Sequence, residues 1–385
     1  MNHRVNTERI ASLLGKSFFL STILIAIVIN ALFVIPSLDE MHDFGSFIAA
    51  GQLANKGKNP YAADSPLIFS VYFPKINHYG LAPNLNPPIS VLFFEGLVHF
   101  PTMQVLAVWR IISVLFFLSA VFFLIQNTLM PLAPNFAERI LLVFALAGFW
   151  HAIQLGQIYT FMLLVTTGAW IWLKQNRYIW GGIALGILIA VKPNFVFWGL
   201  ALAAAKNWKA FFSTVLTAIS LSVLPILFYG PQIYIWWLEA STIFTPDLLI
   251  FPGNNSLQGL TARFGYPQLG IMLGIIFAAL ILILIHKRKF SLTKVNSLGI
   301  LISLLISPIA WTGYTLSALP ILLERRTWNW RFWLAALIFV VPFYVPLVLF
   351  QASPFNFIFF GWFYGWGLLI LLGETMSEHT ETMNR

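Results

Sequence analysis

The sequence contains no cysteine and few charged residues. Without cysteine, disulfides, thiol chemistry and thiolate metal sites are excluded, and the redox compartment cannot be read from the chain. Asp, Glu, Lys and Arg make up only 9% of its 385 residues, whereas a soluble domain carries about 25%. Apolar residues account for 59%, and the mean hydropathy is +0.82. This composition excludes a soluble globular protein and predicts an integral membrane protein.

Several common functional motifs are also missing. The chain has no Walker A loop, no dinucleotide-binding glycine fingerprint and no HExxH helix. Its 7 histidines are scattered and form no HxxxH pair, so we expect neither a metal site nor a divalent metal cofactor. The formal net charge of +9 would suggest nucleic acid in a soluble protein, but here it must be assigned loop by loop. No nucleic acid partner is expected.

Apolar runs follow one another along the whole chain, which predicts an all-α polytopic bundle of about 12 transmembrane helices in a single integral membrane domain over 1–385. The first run, 17–37, is longer than the apolar region of a signal peptide and is read as a retained span. The run at 88–100 would reach only about 20 Å as a helix, so we predict a re-entrant or interfacial segment. If it crosses, the count becomes eleven or thirteen. The predicted spans are 17–37, 103–125, 139–152, 158–174, 178–191, 194–205, 210–230, 267–286, 295–307, 309–323, 332–350 and 355–373.

Basic residues set the predicted orientation. Short basic segments recur between spans and should be cytoplasmic, because cytoplasmic loops carry an excess of Lys and Arg. Arg4, Arg9 and Lys16 place the amino terminus on the same side, and the tail 374–385 follows it there. The predicted extracytoplasmic loops are 38–87, which we expect to be helical or irregular, and 231–266. The basic segments are Lys174 to Arg177, Lys206 to Lys209, His286 to Lys294 and Glu324 to Arg331.

Three ionisable residues on the predicted outer side are candidates for chemistry. Asp43 follows the first span, where a partly desolvated carboxylate would be a better base and an exposed one would be a helix cap. Arg263 stands among amides and hydroxyls, where its guanidinium suits phosphate recognition or a local salt bridge. Lys192 occupies an outer turn against the charge rule, which fits a bound ligand or a side chain reaching the interface.

A series of short motifs gives the chain a resemblance to a known family. They run in order from about residue 20 to 345, each weak alone but fairly specific together. With them the sequence resembles glycosyltransferase family 87, membrane enzymes of the GT-C superfamily that include polyprenol-phosphate-mannose-dependent mannosyltransferases. The motifs are Asp43-Phe44, Ala49-Ala50, Leu53, Gly57 and Asn59-Pro60-Tyr61, then Asn86-Pro87-Pro88, Phe100-Pro101, Gly156-Gln157, Gly181-Gly182, Leu185, Val191-Lys192-Pro193, Asn254-Asn255-Ser256 with Arg263, and Ser307-Pro308-Ile309-Ala310-Trp311.

The resemblance implies a GT-C-type fold and a multi-pass enzyme of a bacterial plasma membrane that acts in the cell envelope. Its donor would be a polyprenyl-phosphate-linked hexose, expected to be mannose, and its acceptor a lipid or glycan on the extracytoplasmic side. Asp43 occupies the position of the general base in an inverting transfer. The substrate-binding candidates are Lys192, Arg263, Gln157, Asn255, Tyr314 and His42. Membrane lipids are the remaining partners.

The sequence departs from the family pattern after Trp311. Family members often carry a histidine pair there, expected to contact the donor phosphate or the acceptor, whereas this chain has Thr312-Gly313-Tyr314. Tyr314 can supply a hydrogen bond but no charge. Two alternatives stay open: a transporter or flippase of lipid-linked sugars, and a polymerase or ligase of surface polysaccharide. A transporter predicts interrupted spans with ionisable groups near the middle of the membrane, whereas most notable polar groups here fall on one side.

Overall fold

The computed structural model describes residues 19–40, 42–62, 70–73, 76–81 and 84–377. Arg4, Arg9, Lys16 and the end of the predicted tail, 378–385, lie outside the described residues. The described chain is almost entirely helical. Its helices are α1 (19–34), α2 (His42–Asn55), α3 (Ile89–Glu95), α4 (Thr102–Asn127), α5 (Phe136–Ala145), α6 (Ala147–Leu155), α7 (Tyr159–Lys174), α8 (Tyr178–Val191), α9 (Val196–Ala204), α10 (Trp208–Tyr229), α11 (Gln232–Leu249), α12 (Leu257–Ala262), α13 (Pro267–Lys287), α14 (Leu292–Ile306), α15 (Leu319–Glu324), α16 (Trp330–Val340), α17 (Tyr344–Leu349), α18 (Pro354–Phe359) and α19 (Phe363–Ser377).

Five helical segments among the described residues are long and apolar enough to cross a membrane. Large apolar side chains on α10 and α13 face outward, among them Leu216 at 69% and Ile275 at 60% exposure. Apolar surface exposed on this scale is unfavourable in water and fits contact with lipid. The molecule therefore has the architecture of a helical membrane protein. The five segments are Phe19–Asn55, Thr102–Asn127, Phe136–Leu155, Trp208–Tyr229 and Pro267–Lys287.

The predicted count of twelve spans is not confirmed, because several predicted spans fold as shorter, broken helices. The predicted span 309–323 consists of a 3-10 helix, Thr312–Ala318, followed by α15. The predicted span 332–350 is divided between α16 and α17. Val341 there adopts φ −56° and ψ 122°, an extended conformation imposed by the proline that follows it, and α16 ends one residue earlier.

The predicted first outer loop, 38–87, contains more structure than the sequence indicated. It begins with α2 and includes an antiparallel hairpin of β1 (Ser70–Phe73) and β2 (Ile76–Leu81), in which Ser70 pairs with Leu81. Beyond it, α3 has 7 residues, which is about 10 Å of helix. A membrane crossing needs about 30 Å, so α3 is too short to make one.

Close helix packing is supplied by small residues on α8. A Cβ added to Gly182 would come within 2.5 Å of the Ala210 carbonyl oxygen, and one on Gly186 would come within 2.5 Å of Thr217 Cβ. The two glycines are four residues apart, so they lie on one face of α8 and let α10 approach closely, as in other membrane helix pairs. This packing holds α8 against α10. The end of α8, and Lys192 after it, therefore have a fixed position in the bundle.

Charged side chains from separate predicted cytoplasmic segments meet at one end of the bundle. Lys174 Nζ lies 2.7 Å from Glu324 Oε1, and Arg139 donates one hydrogen bond each to the carbonyl oxygens of Arg325 and Arg326. Arg325 in turn lies 3.5 Å from the buried carboxylate of Glu374. These contacts bring together segments that the charge pattern had assigned to the same side of the membrane.

Candidate active site

Asp43 and Gln157, 114 residues apart, meet through a direct hydrogen bond. Asp43 lies in the first turn of α2, where the helix dipole favours a negative charge. Its Oδ2 accepts a hydrogen bond of 2.5 Å from Nε2 of Gln157, which occupies the connection between α6 and α7 and is buried. An amide donor on one oxygen fixes the orientation of the carboxylate.

A glycine makes this contact possible. Gly156 ends α6 in the left-handed conformation, with φ +66°, and so turns the chain toward α2. A Cβ at this position would lie 2.7 Å from Cβ of Phe44, the residue after Asp43. Trp109 Nε1 donates to the Gly156 carbonyl at 2.9 Å, and Arg110 donates to the carbonyls of Glu40 and Ile153. The start of α2 and the end of α6 are thereby joined to α4.

Lys192 lies in the connection that follows α8. Its extended backbone, φ −143° and ψ 94°, fits a residue that precedes proline. Among the described residues, its ammonium has no hydrogen-bond or ion-pair partner, and it lies 5.2 Å from the ring centroid of Tyr314. Burial lowers the pKa of Lys192 from 10.5 to about 7, and the negative charge of Asp43 opposes this shift. Asp43 and Lys192 therefore interact electrostatically within one site.

Tyr314 belongs to a compact aromatic arrangement beside Lys192. Its ring makes an edge-to-face contact with Tyr159, with centroids 5.1 Å apart and planes at 74°. The Tyr159 ring lies directly over Gly313, since a Cβ there would come within 1.9 Å of Tyr159 Cδ2. Both tyrosines are buried. The departure from the family pattern at Thr312-Gly313-Tyr314 is thus linked to Tyr159, whose ring fills the space that a side chain at 313 would need.

His42 lies beside Asp43 at the start of α2. Its Nε2 lies 2.9 Å from Glu40 Oε2, so a protonated His42 forms an ion pair with a carboxylate that is largely exposed. The backbone of His42 has φ +22°, which is unusual outside glycine. His42 is partly exposed and pairs with an exposed residue, so it lies at the rim of the site.

Arg263 and Asn255 lie in the predicted second outer loop, and their polar groups bind the backbone. Arg263 donates to the carbonyls of Phe251, Asn254 and Gly361, and burial lowers its pKa to about 9. The Asn255 amide donates to the carbonyls of Gly253 and Ala310. Among the described residues, neither Arg263 nor Asn255 forms a hydrogen bond or ion pair with Asp43 or Lys192. Arg263 lines an open cleft of about 540 Å³ together with the segment from Gln351 to Ile358.

The site occupies the end of the bundle away from the charged cluster described above. α7 begins at Tyr159, in contact with Tyr314, and ends at Lys174, which pairs with Glu324. The 15 residue steps between Tyr159 and Lys174 correspond to about 22 Å. Asp43, Gln157, Lys192 and Tyr314 thus lie together at the end that the charge pattern had assigned to the outer side.

Comparison with known proteins gives one match. The family model of glycosyltransferase family 87 matches residues 84–308, more than half of the chain. The chain belongs to glycosyltransferase family 87. This glycosyltransferase has no match among curated proteins and none among solved structures. The family resemblance and the enzyme class expected from the sequence are therefore confirmed, and the transporter alternative is set aside.

The matched region contains only part of the site of this family 87 glycosyltransferase. Gln157, Lys192, Asn255 and Arg263 fall within 84–308, whereas Asp43 and Tyr314 lie outside it. The structure brings Asp43 and Tyr314 to the matched residues.

Sequence reasoning missed Tyr159 and Gly313 as interacting site residues. Tyr159 follows Gln157 by two positions, a proximity that could have flagged it. Its contact with Gly313, 154 positions later, had no signal in the sequence.

Proposed function

We propose that this membrane glycosyltransferase transfers a hexose, with mannose the expected sugar, from a polyprenyl phosphate to a lipid or glycan acceptor. The observation that supports the proposal is the environment of the Asp43 carboxylate. It accepts a hydrogen bond from Gln157 and interacts electrostatically with the Lys192 ammonium. A base and a cation in one site are the two groups that such a transfer requires.

Asp43 acts as the general base. It removes the proton from an acceptor hydroxyl as that oxygen forms a bond to the anomeric carbon and the bond from this carbon to the phosphate oxygen breaks. Attack opposite to the leaving group inverts the configuration. Gln157 keeps Asp43 in place because its amide binds Oδ2, leaving the carboxylate oriented toward the acceptor.

Lys192 stabilises the leaving group. The polyprenyl phosphate changes from a diester to a monoester and gains negative charge as the bond breaks. A cation beside the phosphate stabilises this charge and lowers the barrier. Lys192 has no anionic hydrogen-bond partner among the described residues and can turn its donors to the phosphate. Tyr314 lies beside it, and His42 is proposed to contact the acceptor.

Arg263 and Asn255 remain candidates for the phosphate or for the lipid chain. Most of their donors bind carbonyl groups in this structure, which supports a role in shaping the outer loop. Contact with the donor would require them to exchange these bonds. The bundle end that carries Asp43 is proposed to face the extracytoplasmic side of a bacterial plasma membrane, with both termini cytoplasmic, because the basic segments meet at the other end.

Replacing Asp43 with Asn tests the base. Asn keeps the size and can still bind Gln157, but it cannot accept the acceptor proton, so transfer should fall by about 10²–10⁴-fold while donor binding is retained. The measurement is hexose transfer from polyprenyl-phosphate mannose to a lipid extract of the native membrane by purified protein. Asp39→Asn is the matched control, because Asp39 is an exposed carboxylate four residues away.

Two results would contradict this proposal. Unchanged turnover in Asp43→Asn would remove Asp43 as the base. If wild-type protein neither binds polyprenyl-phosphate mannose nor releases polyprenyl phosphate from it, the donor class is wrong.

A further inference from the structure

We propose that Tyr314 is a positioning residue whose ring face, fixed by Tyr159 and Gly313, holds the Lys192 ammonium in the active site. The inference deepens the proposed function, in which Lys192 binds the donor phosphate. It assigns the contribution of Tyr314 to its ring and makes the hydroxyl dispensable for this role.

The first step concerns what the ammonium of the half-buried Lys192 needs. A cation removed from water is unfavourable unless a charge or dipole compensates it. Among the described residues, Lys192 has no ion-pair or hydrogen-bond partner, yet its Nζ lies 5.2 Å from the Tyr314 ring centroid. Cations within about 6 Å of an aromatic centroid are attracted by the negative face of the ring. The ring therefore supplies part of the compensation.

The second step concerns why the ring stays in place. Tyr314 is 5% exposed and its backbone N–H donates to the Trp311 carbonyl. The edge-to-face contact with Tyr159 fixes the plane of the Tyr314 ring. Tyr159 cannot move away from Tyr314, because it is itself buried against Gly313. A fixed ring gives the flexible Lys192 side chain a preferred position.

The third step is the chemical consequence. A carboxylate partner would occupy the N–H donors of Lys192 and would have to be displaced by the substrate. An aromatic face attracts the cation with little directional demand on those donors, so they remain available for an anionic oxygen. Asp43 of α2 is the ionisable group that favours the ammonium form of Lys192. His42 of α2 and Tyr159 of α7 interact electrostatically with Asp43.

Two substitutions separate the ring from the hydroxyl. Tyr314→Phe keeps the aromatic face, and Tyr314→Leu removes it while keeping an apolar side chain. The readout is the labelling rate of Lys192 by trace acetic anhydride across pH 5–9, quantified by peptide mass spectrometry on the intact purified protein. This rate follows the neutral fraction of the amine and requires no substrate.

The ring model expects Tyr314→Phe to match the wild-type labelling profile. Tyr314→Leu should raise the labelling rate of Lys192 at pH 6 by roughly threefold or more, because losing the ring favours the neutral amine. Phe332→Leu is the matched control. Phe332 is equally buried and lies under Arg325, with the guanidinium carbon 4.1 Å from its centroid, in the charged cluster at the other end. It should destabilise the protein without changing the Lys192 profile.

The inference is overturned if Tyr314→Leu and Tyr314→Phe give the same profile, or if Phe332→Leu shifts the profile as much as Tyr314→Leu does. Labelling repeated with polyprenyl phosphate tests the proposed function separately. Protection of Lys192 by this lipid supports phosphate binding. Its absence, together with a shift in Tyr314→Leu, would refute the donor assignment and leave the role of the ring intact.

Discussion

At the scale of single residues, the site holds one acid, Asp43, and one amine, Lys192, whose charged forms stabilise each other. Burial favours the neutral amine of Lys192 and lowers its pKa, and the negative charge of Asp43 opposes this shift. Each group therefore depends on the other for the charged form that catalysis needs. Replacing either one changes the electrostatic environment of the partner as well as removing its own chemistry.

The lowered pKa of Lys192 predicts a pH limit on donor use. Because the pKa is about 7, the ammonium predominates below pH 7 and is lost as pH rises, so kcat/KM for the donor should fall about tenfold per pH unit well above 7. Lys192→Arg should remove this alkaline limb, since a guanidinium stays protonated throughout. The measurement is the pH profile of kcat/KM for both proteins. Lys192→Met serves as the control and should be impaired at every pH. An identical alkaline limb in wild type and Lys192→Arg would show that another group titrates.

At the scale of secondary-structure elements, the site depends on where helices stop. α6 ends at a left-handed glycine, α8 ends two residues before a proline, and α2 carries the acid in its first turn. Each of these ends exposes a residue that would be hidden within a continuous helix. The functional side chains thus gather at helix ends, close to the positions at which the predicted spans also end.

Gly156→Ala tests this dependence. The left-handed conformation costs a residue with a Cβ about 1–2 kcal/mol, and the clash with Phe44 adds about 1–3 kcal/mol of overpacking. We expect a lower free energy of unfolding and a loss of transfer activity, because Gln157 moves away from Asp43. Unfolding in detergent and the transfer assay measure the two effects. Gly57→Ala is the matched control, since Gly57 has φ +67° but nothing within 4 Å of an added Cβ. Equal losses in both variants would show that the contact with Phe44 is unimportant.

Part of the candidate site could be predicted from individual residues. Asp43, Lys192 and Arg263 stood out because a charge is rare in this chain, whereas Gln157 and Asn255 were selected from motifs of the family resemblance. The structure engages most donors of Asn255 and Arg263 with backbone carbonyls. A sequence pattern identifies a residue that can donate hydrogen bonds, but it does not tell which acceptor lies nearby.

At the scale of the whole molecule, charge is separated between two ends. One end of the bundle contains a cluster of charged residues, namely Arg139, Lys174, Arg325 and Glu374. Asp43 and Lys192 lie at the other end. The first group, three cations and one anion, fits the side proposed to be cytoplasmic, since cytoplasmic loops carry an excess of Lys and Arg.

This arrangement predicts the labelling of single cysteines. The chain has no native cysteine, so the unmodified protein should not react with a maleimide and serves as the control. Ala352→Cys, at an exposed position before α18, should react with a membrane-impermeant maleimide added to intact cells. Lys289→Cys, exposed in the basic connection after α13, should react only after the membrane is permeabilised. Labelling of residue 289 from outside would reverse the proposed orientation.

The sequence by itself determined the membrane class, the helical architecture, the family resemblance and several residues of the site, because composition, hydropathy and charge are local properties of the chain. Only the tertiary structure decided that Asp43 binds Gln157, that Lys192 lies against Tyr314, and that Tyr159 occupies the space over Gly313. These pairs are separated by more than 100 positions along the chain. Their contacts depend on how helix ends pack against one another. No local sequence pattern predicts this packing.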